Sequence, residues 1–390
     1  MTIYLFLRHS YSPRLHHDYG GSYFSSLGFN YEVWIFPFLG VQKIKPTINS
    51  NSQIPPSVKV VIHHSKSEAL SALNKLKANS IIFDPASVLV DPDMPFNETI
   101  NTCFKVIFAL QSLPRLPSSL THLFSRLYSR PIYTLRMLLR KVNFFSVFYN
   151  TLKPSKVTYD LGVSAGKFSR LKIKPHINKQ TGSILKTHSS DCELVLQSED
   201  QLISDLPLRY AIFLDEFVPY HPDHQILGID YYVSPDPYYD ELNKYFSWFE
   251  SRYRLEIIIA AHPKSNYSSL TNPFNDRVVI HRKTPLLVSH AILCFTHCST
   301  SISFAILNFK PVISLFSSSY SPIFNRRIAH MSKIIGTPLL DVSSFSDYGP
   351  EYIPKPSLSL YNQYTNDYLY EGSPPSQPFL ESLLHSLPKL

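Results

Sequence analysis

Glycine is scarce, at 11 of 390 residues. A fold built around glycine-rich phosphate loops is therefore not expected, and no G-x-G-x-x-G fingerprint occurs. Cysteine is scarcer still: Cys103, Cys192, Cys294 and Cys298 are the only four. Their spacing gives no disulfide framework and suits a reducing compartment. Cys294-x-x-x-Cys298 with His297 inside it has letters of a metal site, but a second ligand pair is missing and the segment reads as a buried strand entering a turn. No stretch of 18 uncharged apolar residues exists, so no membrane span is expected. The opening MTIYLFLRHSYSPR has only a short apolar run before Arg8, without the basic start and long apolar region of a signal peptide. The expected location is cytoplasmic, at most peripheral on the inner face of the membrane. No run of five Lys or Arg and no zinc-finger pattern is present, which argues against a nucleic-acid partner.

What is present is core-forming material. Apolar residues make up 44% of the chain and aromatics 14%, against 17% charged. The composition is globular, and the length suits two domains of roughly 150–200 residues each. The net charge of +8 favours acidic partners: phosphorylated or carboxylated substrates, or an anionic lipid surface.

The first half alternates apolar strands and helices. Strands are expected at Ile3–Leu7, Tyr31–Phe38, Lys59–His63 and Ser80–Phe83. Leu70, Leu73 and Leu76 recur at helical spacing within Ser67–Ala78, which Ser65 or Ser67 can cap. Strands separated by helices indicate a parallel, doubly wound sheet. Pro114–Tyr149 reads as helical and basic, with Arg115, Arg126, Arg130, Arg136, Arg140 and Lys141 interleaved with apolar residues. That pattern fits an interfacial helix on an anionic membrane, or a solvated helix face. The second half repeats the series more clearly. Strands are expected at Tyr210–Leu214, Glu256–Ala261, Val278–His281, Ala291–Thr296 and Pro311–Phe316, with helices at Pro237–Tyr253, Ser299–Phe309 and Asn325–Ile335. The expected fold class is α/β, with two Rossmann-like domains facing each other across a cleft and a boundary near residues 190–208.

Ligands of open α/β sheets bind at the carboxyl ends of the strands. Three strands of the second half end in polar groups: Asp215-Glu216, His262-Pro263 followed by Lys264, and His297-Cys298-Ser299-Thr300-Ser301. Ser299, Thr300 and Ser301 open a helix, where free N–H groups and hydroxyls can hold a phosphate or simply cap. Pro263 fixes the chain beside His262, which can donate to a phosphate oxygen or be a satisfied structural histidine. One carboxylate of the acid pair can face the cleft as a base, or both can form a solvated turn. His221 and Asp223 are candidates for the acceptor side. Lys174, His176 and Gly162–Lys167 are candidates for lining the cleft from the first domain. Asp91-Pro92-Asp93 has the letters of a metal motif but sits in a proline-rich turn, and no metal is expected.

The order acid-acid, His-Pro, Ser/Thr-Ser resembles that of bacterial sialyltransferases and polysialyltransferases of the GT-B fold, with their D/E-D/E-G, HP and S/T-S motifs. Here these are Asp215-Glu216-Phe217, His262-Pro263 and Ser299-Thr300-Ser301. The strings FLDEFVPYHPD, IIIAAHPKS and THCSTSISFAILNFKPVIS also resemble proteins of O-antigen and capsule biosynthesis. The likeness spans residues 205–320 and departs at Phe217, where the family has glycine. It implies a glycosyltransferase moving an acidic ulosonic sugar (a sialic, legionaminic or pseudaminic acid, or Kdo) from a CMP-activated donor to a saccharide or lipid-linked oligosaccharide acceptor. By the resemblance, Asp215 is the base with Glu216 in reserve, and His262 assists departure of CMP. Pro263, Lys264, His297, Ser299, Thr300 and Ser301 complete the nucleotide and phosphate site. It also implies an acceptor domain over 1–195, a nucleotide-sugar domain over 196–355, and a tail over 356–390 packing back on the first domain. The alternatives are a UDP- or GDP-sugar transferase, a CDP-polyol-phosphate transferase, or an inactive scaffold of the same assembly complex.

Overall fold

The computed structural model describes residues 1–8, 11–39, 58–91, 93–95, 98–114, 157–198, 206–221, 233–267, 272–345 and 353–388. The basic segment expected at Pro114–Tyr149 and the candidate Asp223 lie outside the described residues, apart from Pro114 itself.

The first sheet is built from β1 (Thr2–Leu7), β2 (Asn30–Ile35), β3 (Lys59–Ile62), β4 (Ile81–Asp84), β5 (Phe104–Ala109), β6 (Leu161–Ala165) and β7 (Ser183–Thr187). Their order is β3-β2-β1-β4-β5-β6-β7, and every pairing is parallel. Parallel strands need crossovers that cover both sheet faces, so the inner strands read as continuous apolar runs. β1 and β4 are buried along their whole length. One face is packed by α1 (Pro13–Asp18) and α2 (Gly21–Ser26), the other by α3 (Lys66–Leu73) and α4 (Gly166–Ile173). Ser65 caps α3, its hydroxyl accepting the Glu68 N–H. After β7 comes α5 (Ser190–Gln197).

The second sheet contains β8 (Tyr210–Leu214), β9 (Glu256–Ala261), β10 (Val279–His281), β11 (Leu293–Thr296), β12 (Val312–Phe316) and β13 (Leu339–Asp341). The order is β10-β9-β8-β11-β12-β13, again all parallel. The helices around it are α6 (Pro235–Tyr253), α7 (Thr284–His290), α8 (Ile302–Leu307) and α9 (Pro322–Ile335). Tyr238, Leu242, Tyr245 and Phe249 recur along α6 at spacings of three and four, so one stripe of the helix is buried. That stripe meets Phe213 of β8 and Phe295 of β11 through Phe246 and Phe249. The molecule therefore has two Rossmann-like α/β domains, as the alternation of strands and helices implies.

The chain stitches the domains together at its end. α10 (Leu358–Tyr364) packs on the second core through Tyr361 and Tyr364. α11 (Phe379–Ser386) then returns to the first, burying Phe379 and Leu383 among the residues of β1, β4 and β5. Between them, Tyr368 and Asp367 press against Gly166 at the start of α4. A Cβ there would lie 2.7 Å from the Tyr368 backbone, and φ is +71°. Only glycine accommodates both the contact and the left-handed backbone. Arg170 of α4 holds Glu371 through two hydrogen bonds of 2.6 and 3.0 Å. α5 lies against α8, and its Cys192 belongs to the second core.

Candidate functional site

In the second sheet the strand order reverses between β8 and β11, which is where such sheets open a crevice. The acid pair follows β8, the His-Pro turn follows neighbouring β9, and the Ser/Thr segment follows β11. The topology thus brings all three strand-end groups to one edge.

Asp215 sits at the bottom of that edge, 3% exposed. Its Oδ1 accepts the Phe217 N–H at 2.9 Å, and its Oδ2 accepts the His262 N–H and the Tyr267 O–H, both at 3.1 Å. Tyr239 of α6 stands behind, its hydroxyl 3.3 Å from that of Tyr267. Burial pushes the Asp215 carboxyl up to about 6, against the three donors that hold it down. The acid therefore ties the end of β8 to the turn after β9.

Glu216 points the other way. Its Oε1 accepts the Cys298 N–H at 2.6 Å, and its Oε2 lies 3.6 Å from the Cys298 thiol. It is half-buried. Burial raises its carboxyl to about 7, offset by that amide and by the charge of Arg327 in α9. Consecutive carboxyls thus fasten the loops of both neighbouring strands. Phe217, next in the chain, adopts a left-handed conformation, φ 52° and ψ 37°, unusual for a bulky residue. Its ring is buried 5.5 Å from those of Tyr220 and Tyr267.

His262 is half-buried, and its Nδ1 accepts the Lys264 N–H at 3.2 Å. That bond needs a lone pair on Nδ1, so Nε2 carries the proton of the neutral ring. The Ser265 N–H and O–H both return to the His262 carbonyl, closing a tight turn around Pro263. His221 stands edge-on to His262, ring centres 4.7 Å apart. Pro263 and Lys264 are exposed beside it.

The segment after β11 departs from the expected open phosphate cradle. α8 begins at Ile302, not at Ser299. The Cys298 amide goes to Glu216, that of Ser299 to Thr296 Oγ1, and that of Ser301 to Ser299 Oγ. The Thr300 amide alone in this run has no partner among the described residues, and Thr300 is exposed. His297, read from the sequence as a phosphate ligand, is wholly buried. Its Nδ1 meets the Leu315 carbonyl at 2.7 Å and its Nε2 the Tyr238 hydroxyl at 3.0 Å. Burial lowers its pKa to about 4, so it is a neutral core residue that joins β11, β12 and α6. With both nitrogens engaged it does not reach a bound phosphate.

Lys174 and His176 also sit away from the place expected for them. They form a short turn after α4, and Ile177 bridges Tyr159 just ahead of β6. A crossover helix runs back against its strand, so its far end lies at the strands' amino ends, opposite the cleft. Asp91 of the Asp-Pro-Asp string is paired with Arg8 and accepts the Asp93 N–H.

Tyr239 and Tyr267 were not legible as site residues. Both look like core aromatics, and only the fold sets their hydroxyls beside Asp215. From the first domain, α1 lies within electrostatic reach of α5. Burial raises the Asp191 carboxyl of α5, and the charges of Arg14 and Asp18 act on it.

No protein-family model matches the chain, and no curated protein matches it. Among solved structures it is similar to the wall teichoic acid polymerase TagF, with 11% identity, 99% of this chain and 88% of that one covered, and a TM-score of 0.46. It is also similar to the UDP-GlcNAc 2-epimerase of Methanocaldococcus jannaschii (8% identity, 93% and 98% covered, TM-score 0.43). A third is the glycotransferase of kitacinnamycin (9% identity, 90% and 87% covered, TM-score 0.41). None of these reaches a TM-score of 0.5, and it is the topology of the two sheets that defines the fold.

Proposed function

We propose that the chain is a glycosyltransferase that transfers an acidic ulosonic sugar from a CMP-activated donor to a saccharide acceptor of a surface polysaccharide. The observation that carries this reading is the bond from the His262 amide to the buried Asp215 carboxylate. It fixes the His-Pro turn at the switch point of the sheet, while the Lys264 amide on Nδ1 places the ring proton on Nε2.

The chemistry follows from that arrangement. Breaking the bond between the sugar and CMP leaves negative charge on one phosphate. A neutral imidazole N–H, the neighbouring ammonium of Lys264 and the open Thr300 amide suit a single phosphate, and donors fixed before the reaction need no reorganisation when charge develops. Ser299 serves by shaping that loop, because its hydroxyl accepts the Ser301 amide.

The incoming acceptor hydroxyl must lose a proton. Asp215 is the base by resemblance, but it already takes three donors and is almost sealed from solvent. Glu216 is half-buried, and its carboxyl lies at about 7, where a base is most effective at neutral pH. We therefore assign proton abstraction to Glu216 and treat Asp215 as a positioning residue that acts through His262. His221, edge-on to His262, stands on the acceptor side.

A nucleotide panel tests the reading. CMP at a hundredfold excess over its Kd should stabilise the protein by about 2.7 kcal/mol, readable as a rise in melting temperature. UDP, GDP and CDP should do markedly less. A larger response to CDP would point to transfer of a polyol phosphate, one to UDP or GDP would point to those sugars, and none at all would point to a scaffold.

A further inference from the structure

We infer that the corner of the first domain formed by α4, the turn after it and the edge strand β7 is a docking face for an anionic phospholipid surface. From Leu161 to Ser190 the chain carries Lys167, Arg170, Lys172, Lys174, Lys179 and Lys186 and not one Asp or Glu. Arg170 is spent on Glu371. Lys172, Lys174 and Lys179 are exposed and form no ion pair among the described residues.

Charge alone would mean an ordinary solvated face. The apolar residues are the second observation. α4 turns Gly166, Ser169 and Ile173 inward and leaves Lys167, Phe168, Leu171 and Lys172 outward. Leu171 is 48% exposed, and Phe168, which rests one side of its ring against Tyr368, is 42% exposed. Large apolar side chains set among lysines on one helix face are what an interfacial contact requires: the rings and methyls enter the headgroup boundary while the ammonium groups meet lipid phosphate. A nucleic-acid surface would use the same charge but gives an aliphatic Leu171 nothing to do, since bases stack on aromatic faces. The face is distinct from the strand-end groups of the second domain, so lipid docking and nucleotide binding can be measured separately.

The experiment is flotation of the full chain with vesicles of phosphatidylcholine, alone or mixed with phosphatidylglycerol. The protein should float with the mixed vesicles and not with the neutral ones. Lys172→Glu combined with Lys174→Glu and Lys179→Glu should weaken that binding about tenfold or more. Leu171→Ser should weaken it several-fold with no change in charge, and both variants should keep the wild-type melting temperature and nucleotide response. Absence of binding to mixed vesicles, or binding undiminished in both variants, overturns the proposal. So does equal binding to a single-stranded oligonucleotide that ignores Leu171→Ser, which would mark a surface for polyanions in general. Failure of the nucleotide panel, by contrast, leaves flotation untouched.

Discussion

Asp84 and Asp215 make an instructive pair. Each ends a central strand, β4 in the first sheet and β8 in the second, and each is buried. Each accepts two backbone amides and one tyrosine hydroxyl: Val88, Leu89 and Tyr159 for Asp84, and Phe217, His262 and Tyr267 for Asp215. Burial raises both carboxyls. The difference lies in what they hold. Both amides on Asp84 belong to the loop that follows its own strand. One amide on Asp215 belongs to another strand's loop and carries a half-buried imidazole with it. The same donor set is a fastener in one domain and a positioning device in the other.

Turnover is where the two should part most widely. His262→Ala or Glu216→Gln should lower turnover about a hundred- to ten-thousand-fold, the usual cost of removing an acid or base from the reacting centre. Asp215→Asn should fall between these and wild type, because it loosens His262 without deleting it. Asp84→Asn should turn over like wild type. Equal losses from the two Asn variants in a coupled CMP-release assay would erase the distinction. If Glu216→Gln is nearly silent and Asp215→Asn abolishes turnover, the base is Asp215.

In stability the pair should converge. Asp84→Ala and Asp215→Ala each strand three donors, at a cost of about 3 kcal/mol in urea unfolding. The pH dependence has a definite sign. Folding raises each carboxyl above its unfolded value, so folding favours the protonated form. The contribution is full below about 4 and is lost as pH rises through about 6 for Asp215. The stability gap between wild type and Asp215→Asn should therefore narrow between pH 4 and 7. For Glu216, turnover should rise with pH through about 7, since the proposed base must be ionised. A rate flat across that range would remove it from the role.

Phe217→Gly is expected to cost about 2 kcal/mol. Relief of the left-handed backbone returns roughly 1 kcal/mol, and loss of a buried ring removes about 3 or more. A net gain in melting temperature would mean that backbone strain outweighs the ring packing. The smallest effect is reserved for Ser299→Ala, about 1 kcal/mol from one lost loop hydrogen bond, with CMP affinity changed less than tenfold.

Much of this architecture is legible in the sequence for a plain reason. Inner parallel strands are buried on both faces, and YAIFL, EIIIAA and PVISLF read as apolar runs broken at most by one residue, Glu256 in the second and Ser314 in the third. The strands that escape notice break that rule. β5 carries Lys105, which stays buried by donating to the Cys103 carbonyl and pairing with Asp160. β6 contains Gly162 and Ser164, β7 is an edge strand with an exposed Lys186, and β13 is three residues long. The strand-end acids were likewise legible as residues, but not their direction. The amides and hydroxyl that turn them inward lie 47, 52 and 82 residues away in the chain. Local pattern cannot report such partners. His297 fails for the same reason, since the groups that satisfy it come from α6 and β12.

The return of α11 to the first sheet has a consequence for how the protein is made. Phe379, Leu383 and Leu387 fill one face of a sheet whose strands were all completed by Thr187. α1 and α2 cover part of that face early, but the part that Phe379, Leu383 and Leu387 fill stays open on the ribosome while the whole second domain is synthesised, roughly ten to forty seconds at ~5–20 residues per second. The first domain must wait for α11 to complete that core, although Phe24 and Tyr19 already pack on Phe83 and Phe108. Deleting α11 would make that interval permanent.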